Sequence, residues 1–133
     1  EAVGRVGAHP ASVRLVGFGF SQGVATVARW VERSPLVASR EASGLPRVDR
    51  LILWGGRLPH DLDLVAHRAW LSRADLVLVA GDRDAFATPA RVLEQERALA
   101  AAGIPYRPVS FSGEHRLNAR VLAALADDPL ADA

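Results

Sequence analysis

The chain has 133 residues, of which half are hydrophobic and about a quarter are charged, and this composition indicates one globular domain with a real core. The formal net charge is +1, with acidic and basic residues interspersed, so no charged stripe or tail indicates a nucleic-acid partner. Cysteine is absent, which excludes a disulfide framework, a thiol nucleophile and a thiolate metal site.

Short apolar runs alternate with amphipathic stretches along the whole chain. In chain order we predict a strand over 12–18, a helix over 21–33, a loop over 34–46, a strand over 48–54, a helix over 62–72, a strand over 74–80, a helix over 89–102, a strand over 106–111 and a helix over 116–126. Strands that alternate with helices of this length are typical of βαβ units. The runs are continuously apolar, as buried parallel strands are. The sequence therefore predicts one α/β domain over 1–133, with a parallel sheet covered by helices on both faces.

Three chemically distinct groups follow the predicted strands. Gly-Phe-Ser-Gln-Gly follows the first strand, Gly-Asp-Arg-Asp follows the third, and Ser-Gly-Glu-His follows the fourth. In open α/β sheets, ligands bind at the carboxyl ends of the strands. We therefore expect a hydroxyl, a carboxylate and an imidazole on the same edge of the sheet.

The segment 19–23 matches the pattern G-x-S-x-G between a strand and a helix. In that setting the chain turns sharply at the serine, whose strained backbone exposes Oγ. Ser21 is then a candidate nucleophile, and the amide of Gln22, at a helix N-terminus, is a candidate donor to an oxyanion. Two other interpretations stay open: a serine that merely caps the helix, and a glycine-rich dinucleotide loop. The bulky Phe18 and Phe20 argue against the dinucleotide loop, as does the lack of a strand ending in an acid about 20 residues later.

Hydrolases with this serine turn carry their other two catalytic residues in the order acid, then histidine. His115 satisfies that order, and either Asp82 or Asp84 supplies the acid. His60 and His67 lie between the second and third strands, so their order is wrong, and His9 precedes the serine.

The histidines show no metal-ligand spacing. We interpret His60, Asp61 and Asp63 as a solvated loop and expect no metal site.

Several segments together resemble the phospholipase/carboxylesterase family, which includes acyl-protein thioesterases and small bacterial esterases. They are Gly-Phe-Ser-Gln-Gly, then Leu-Ile-Leu-Trp-Gly-Gly-Arg-Leu-Pro, Val-Ala-Gly-Asp-Arg-Asp and Gly-Glu-His. The resemblance extends from about residue 9 to the last helix, and its most specific part is Gly-Phe-Ser-Gln-Gly. It implies the α/β-hydrolase fold.

The resemblance also implies roles for particular residues. The family places its acid three residues after the glycine that closes the strand, which selects Asp84 over Asp82, and its Gly-x-His falls on His115. Two positions depart from the pattern, Val24 in place of a usual glycine and Trp54-Gly55 in place of a common Ser-Gly. These departures concern the shape of the acyl pocket more than the three catalytic positions.

The implied activity is hydrolysis of a carboxylic ester, lysophospholipid or thioester through an acyl-enzyme, without a cofactor. We expect Leu58, Phe86 and Leu117 to line the acyl pocket. A small-molecule ester is the expected partner, and a homo-oligomer is compatible with the sequence. A non-catalytic hydrolase-like binding protein is the alternative, followed by a dinucleotide-binding domain.

The family has several strands before the nucleophile, including a His-Gly loop that supplies a second oxyanion amide. Nothing in this sequence corresponds to them, so we expect the N-terminal strands to be missing and a segment outside the sequence to complete the sheet. No run reaches the roughly 18 apolar residues that span a bilayer, so we expect no stable membrane insertion. The expected location is the cytoplasm.

Overall fold

The computed structural model describes residues 14–38 and 47–130. The described elements, in chain order, are β1 (Val16–Phe20), α1 (Gly23–Arg33), α2 (Pro35–Ala38), β2 (Arg50–Trp54), α3 (Arg68–Arg73), β3 (Asp75–Gly81), α4 (Pro89–Ala101), β4 (Arg107–Phe111) and α5 (Ala119–Asp127). His9, the first two residues of the predicted first strand (12 and 13) and most of the predicted loop (39–46) lie outside the described residues. The predicted alternation of strands and helices is confirmed.

The strands form a parallel four-stranded sheet in the order β1-β2-β3-β4. The register pairs Phe20 with Trp54, Trp54 with Val79, and Gly81 with Phe111. The last residues of neighbouring strands therefore lie close together. The loops that follow them meet at one edge of the sheet.

Both faces of the sheet are covered, as the sequence predicts. On one face, α1, α3 and α4 pack against strand side chains in a cluster that includes Val24, Leu71 and Leu99. On the other face, α5 contributes Leu125 to a smaller cluster with Trp54 and strands β2 to β4. All five residues of β2 are buried, which explains why its sequence is continuously apolar apart from Arg50.

The first strand continues two residues beyond its predicted end at Phe18. Glycines inside a strand normally weaken it, but here Gly17 and Gly19 permit close packing. A Cβ at Gly17 would lie 2.8 Å from Leu51 Cδ1, and one at Gly19 would collide with the Gly23 carbonyl. The lack of a Cβ at Gly19 therefore lets α1 approach β1, and the lack of one at Gly17 makes room for Leu51 of β2.

Three helices begin later than predicted, and for α3 and α5 a side chain that accepts backbone amides accounts for the shift. Asp63 Oδ1 accepts the amides of Val65 and Ala66 at 3.1 Å each, and this turn delays α3 to Arg68. Asn118 caps α5 by accepting the amide of Val121 at 3.1 Å. Residues 112–118 thus remain a loop, and His115 lies within it.

The single turn α2 lies inside the loop that the sequence predicts over 34–46. Among the described residues, no helix has the length and apolar character that crossing a membrane requires.

Candidate active site

Ser21 follows β1 with a backbone φ of +58°, the one positive φ outside glycine among the described residues. Such a conformation costs an L-residue on the order of 1 kcal/mol or more, so the surroundings must hold it. The Ser21 amide donates to the Trp54 carbonyl at 2.8 Å, which ties the turn to the end of β2. The turn exposes the Ser21 side chain above the sheet edge.

The glycines around this turn are not equivalent. A Cβ at Gly19 would meet the Gly23 carbonyl, and one at Gly56 would meet the Ser21 carbonyl and Val24. At Gly23 a Cβ would have nothing within 4 Å. The pattern G-x-S-x-G places glycines two positions on either side of the serine, but the steric need lies at Gly19 and Gly56.

His115 joins Ser21 and Asp84 by hydrogen bonds. Its Nε2 lies 2.9 Å from Ser21 Oγ, and its Nδ1 lies 2.8 Å from Asp84 Oδ2. An ionised Asp84 can only accept, so Nδ1 carries the proton of that bond, and in the neutral imidazole Nε2 can then accept from the Ser21 hydroxyl. The structure thus brings together the three side chains that the sequence singled out, within the reach of general-base chemistry.

Asp84 is only 4% exposed, and three donors surround its carboxylate. Oδ1 accepts the amides of Phe86 at 2.7 Å and Ala87 at 2.8 Å, while Oδ2 faces His115. Burial raises the pKa of Asp84, but the hydrogen bonds from His115, Phe86 and Ala87 outweigh it, so the pKa lies below its usual value. Asp84 is therefore ionised at neutral pH.

Asp82, the rival acid, points to a different group. Its side chain is half exposed, and Oδ1 accepts the Gly113 amide at 3.0 Å. The Arg83 amide donates to the Gly113 carbonyl at 2.8 Å, so two bonds join the loops after β3 and β4. Asp82 fixes the loop that carries His115 without touching the imidazole.

Aromatic rings and a glycine surround the imidazole. Phe20 stacks on His115 with ring centroids 5.0 Å apart, and Phe86 lies 4.7 Å away at a tilt of 49°. Gly55 has φ +63°, and a Cβ there would lie 3.2 Å from His115 Cε1. Trp54 is buried in the sheet and its Nε1 donates to the Arg116 carbonyl at 3.0 Å, which anchors the residue after His115. Trp54, where the sequence departs from the family pattern, thus helps to hold the loop that carries His115.

The Gln22 amide is available as a donor beside Ser21. Gln22 has helical angles and immediately precedes α1, and among the described residues nothing accepts a hydrogen bond from its N–H. N–H groups at a helix N-terminus favour negative charge. Ser21 and Gln22 also line a cavity of about 250 Å³.

The cavity agrees with one of the three predicted acyl-pocket residues. Phe86 lines it and is 64% exposed. Leu58 instead packs in the core under α4, and its amide donates to Gln95 Oε1 at 2.7 Å. Leu117 is 44% exposed and does not line the cavity. Leu58 and Leu117 therefore do not border this cavity, because nearness in sequence to Ser21 and His115 does not fix where a side chain points; their role in an acyl pocket stays a prediction.

Most of the residues that line the cavity were not predicted from the sequence. Gly55, Gly56 and Arg57 come from the loop after β2, and Arg91 and Gln95 come from the first turns of α4. The Gly-Gly-Arg run after the second strand was a signal that this loop also reaches the site. Nothing in the sequence indicated which face of α4 would turn toward it.

Asp61 and His67 form hydrogen bonds and ion pairs away from Ser21 and His115. Asp61 pairs with Arg29 at 2.6 Å, at the surface of the loop after β2. His67 Nδ1 accepts from Trp70 Nε1 at 3.0 Å, and its Nε2 lies 3.3 Å from Glu32. Within residues 14–38 and 47–130, no group of three or more histidines and acids could hold a metal ion.

A parallel sheet with helices on both faces, and with a serine, a histidine and an aspartate joined at its carboxyl edge, is the architecture of α/β-hydrolases. Solved structures share the fold of this chain. Acyl-protein thioesterase 2 of Zea mays is 20% identical with a TM-score of 0.65, and the match covers 92% of this chain and 58% of that one. SOBER1 of Arabidopsis thaliana is 16% identical with a TM-score of 0.64, covering 91% and 53%. A ferulic acid esterase is 14% identical with a TM-score of 0.55, covering 86% and 49%.

No family model matches the sequence, and no curated protein matches it. The likeness to the solved structures shows the fold alone: this chain has the α/β-hydrolase fold. The chain spans about half the length of the solved structures that it matches.

Proposed function

We propose that this chain carries the catalytic residues of a serine hydrolase that cleaves carboxylic esters or thioesters through an acyl-enzyme. The observation that supports the proposal is the hydrogen-bonded chain from Ser21 Oγ through His115 to the buried Asp84. A serine hydroxyl is a poor nucleophile unless a base takes its proton. Here the base lies within 2.9 Å of Oγ.

In the first half-reaction, His115 Nε2 takes the proton as Ser21 Oγ attacks the acyl carbonyl. The amide of Gln22 donates to the developing oxyanion. His115 then protonates the leaving alcohol or thiol, and an ester forms between the acyl group and Ser21. In the second half-reaction, His115 activates a water molecule that releases the acid and restores Ser21.

Asp84 acts through His115. It keeps the proton on Nδ1, so that Nε2 is free to accept, and its charge stabilises the imidazolium that forms during both half-reactions. The lowered pKa of Asp84 keeps it ionised over the pH range in which the imidazole is neutral. Phe20 and Phe86 restrict the ring to the orientation that both bonds require.

Two of the solved structures that share the fold are named as an acyl-protein thioesterase and a ferulic acid esterase. These names support acyl transfer as the class of reaction. The names do not distinguish esters from thioesters as the substrate of this chain, because the same acyl-enzyme chemistry hydrolyses both.

Labelling with a fluorophosphonate tests the proposal, because this probe reacts only with an activated serine. In the whole protein, we expect covalent labelling that Ser21→Ala abolishes and His115→Ala strongly reduces. Ser112, in the loop that carries His115, provides a matched control, and Ser112→Ala should leave labelling intact. Labelling that persists in Ser21→Ala would contradict the assignment. A folded protein that is never labelled would instead be a non-catalytic binding protein.

A further inference from the structure

The charged residues that line the cavity beside Ser21 indicate which class of ester binds there. Two arginines line this cavity, Arg57 from the loop after β2 and Arg91 from the first turn of α4. The other lining residues are neutral, and no carboxylate is among them. This concentration of positive charge contrasts with a net charge of only +1 for the whole chain.

Arg91 is held in place without being neutralised. Its Nη1 donates to the Phe86 carbonyl at 2.8 Å, and a carbonyl has no formal charge. Among the residues that the structure describes, no acid pairs with Arg91. A guanidinium has five N–H donors in a rigid fork, so the group can still bind a carboxylate.

Arg57 is partly neutralised from outside the cavity. Its Nη2 lies 3.3 Å from Glu94 Oε1, but Glu94 does not line the cavity and is 68% exposed. Exposed ion pairs of this kind are weak, so an anionic ligand can compete for Arg57. The two arginines thus form a basic wall next to the proposed nucleophile.

The cavity is also small. Its volume of about 250 Å³ is below the roughly 300–1,000 Å³ typical of sites for drug-sized ligands. A small ester fits such a space better than a long acyl chain does.

We infer that this site prefers small esters that carry an anionic group, such as a carboxylate, which Arg91 and Arg57 bind. This inference rests on the proposed function, because it assigns the cavity beside Ser21 to the substrate. Arg91 is the principal specificity residue, and Arg57 assists it. Binding at this wall orients the ester carbonyl toward Ser21, so the preference should appear in kcat/KM.

Two p-nitrophenyl esters that differ only at the end of the acyl chain test the inference. Mono-p-nitrophenyl glutarate ends in a carboxylate where p-nitrophenyl pentanoate ends in a methyl group. In the whole protein we expect kcat/KM to favour the glutarate ester, and Arg91→Gln to reduce this ratio roughly tenfold. Arg97→Gln removes the same charge from the same helix outside the cavity and should leave the ratio unchanged. Glu94→Gln frees Arg57 and should raise the ratio.

The two proposals fail in different ways. Hydrolysis of the pentanoate ester that depends on Ser21 supports the proposed function whatever the ratio is. If Arg91→Gln and Arg97→Gln then give the same ratio as the unchanged protein, the inferred preference is wrong.

If neither ester is hydrolysed, binding of glutarate to the Ser21→Ala protein, measured by calorimetry, still decides the matter. The inference requires binding that weakens roughly tenfold when Arg91→Gln is added and that falls with ionic strength. Absent binding, or binding indifferent to Arg91, overturns it.

Discussion

Two aspartates only two residues apart have different surroundings, and burial explains the difference. Asp84 lies beneath the loop after β3, where amides of the same loop and the His115 ring satisfy both oxygens. Asp82 lies at the surface and bonds to the Gly113 amide. A buried carboxylate with three donors is costly to alter, whereas an exposed one that accepts from one amide and from the exposed Arg83 side chain is not.

Exchanging each aspartate for asparagine separates the two roles. Asp84→Asn should lower kcat by several orders of magnitude, about 10⁴ by analogy with serine proteases, because asparagine favours the wrong imidazole tautomer. Asp82→Asn keeps an oxygen that can accept from Gly113, so it should cost less than about tenfold. Steady-state ester hydrolysis by both variants checks this. A larger loss in Asp82→Asn would show that the acid has been misassigned.

The sequence predicted that three side chains of the candidate site lie together, because chain order and strand ends constrain their positions strongly. Ser21, Asp84 and His115 each stand just beyond a strand, and parallel strands bring such positions together. It did not locate Arg91, whose position depends on how α4 rotates against the sheet. It also misjudged Gly23, since a pattern of letters does not show which glycine lacks room for a Cβ.

At the scale of elements, buried strands were predictable and helix starts were less so. A strand such as β2 is apolar apart from Arg50, as expected of a strand that is buried on both faces of a parallel sheet. Where a helix begins depends instead on one capping side chain, as with Asn118 before α5. That shift of three residues from the predicted start at Arg116 lengthens the loop that carries His115.

A charged network links three strands to the end of α5. Arg50 is 4% exposed, and its Nε donates to Asp75 Oδ2 at 2.7 Å. Its other nitrogens donate to the carbonyls of Leu125, Asp128 and Pro129, which lie at the C-terminal end of α5. Arg107 Nη2 donates to Asp75 Oδ2 from β4 at 2.7 Å. Asp75 is thus shared by two arginines on neighbouring strands.

The network should make stability depend on pH. Burial raises the pKa of Asp75, but hydrogen bonds from Arg107 and Arg50 outweigh it, so the folded-state pKa lies below the unfolded value of about 3.9. A depressed pKa contributes stability that is present above the unfolded pKa and is lost as pH falls through the folded pKa.

Urea unfolding of the unchanged protein and of Asp75→Asn measures that contribution. The difference in unfolding free energy should be constant above about pH 5 and should shrink progressively below pH 4. Asp127→Asn, at an exposed position on α5, should show little difference at any pH. If the difference in unfolding free energy between the unchanged protein and Asp75→Asn grew as the pH fell, the prediction would be wrong.

At the scale of the whole molecule, the strand that carries Ser21 lies at an edge. Among the described residues, β1 pairs only with β2. Val16 and Phe18 are 45% and 40% exposed, and they border a surface cavity of about 310 Å³ beside α5. An exposed, apolar edge strand of this kind readily pairs with another chain, so natural proteins cover it.

We expect the edge of β1 to be covered in the working protein by a further strand from outside residues 1–133. On its own, this 133-residue chain should then associate through that edge at micromolar concentration, and light scattering should detect species larger than a monomer. Phe18→Lys should reduce the association, because charged side chains block edge pairing. Trp30, which is 46% exposed on α1, provides the control, and Trp30→Lys should leave the association unchanged. A stable monomer whose β1 amides all resist hydrogen exchange would mean that the edge is already satisfied and that no further strand is needed.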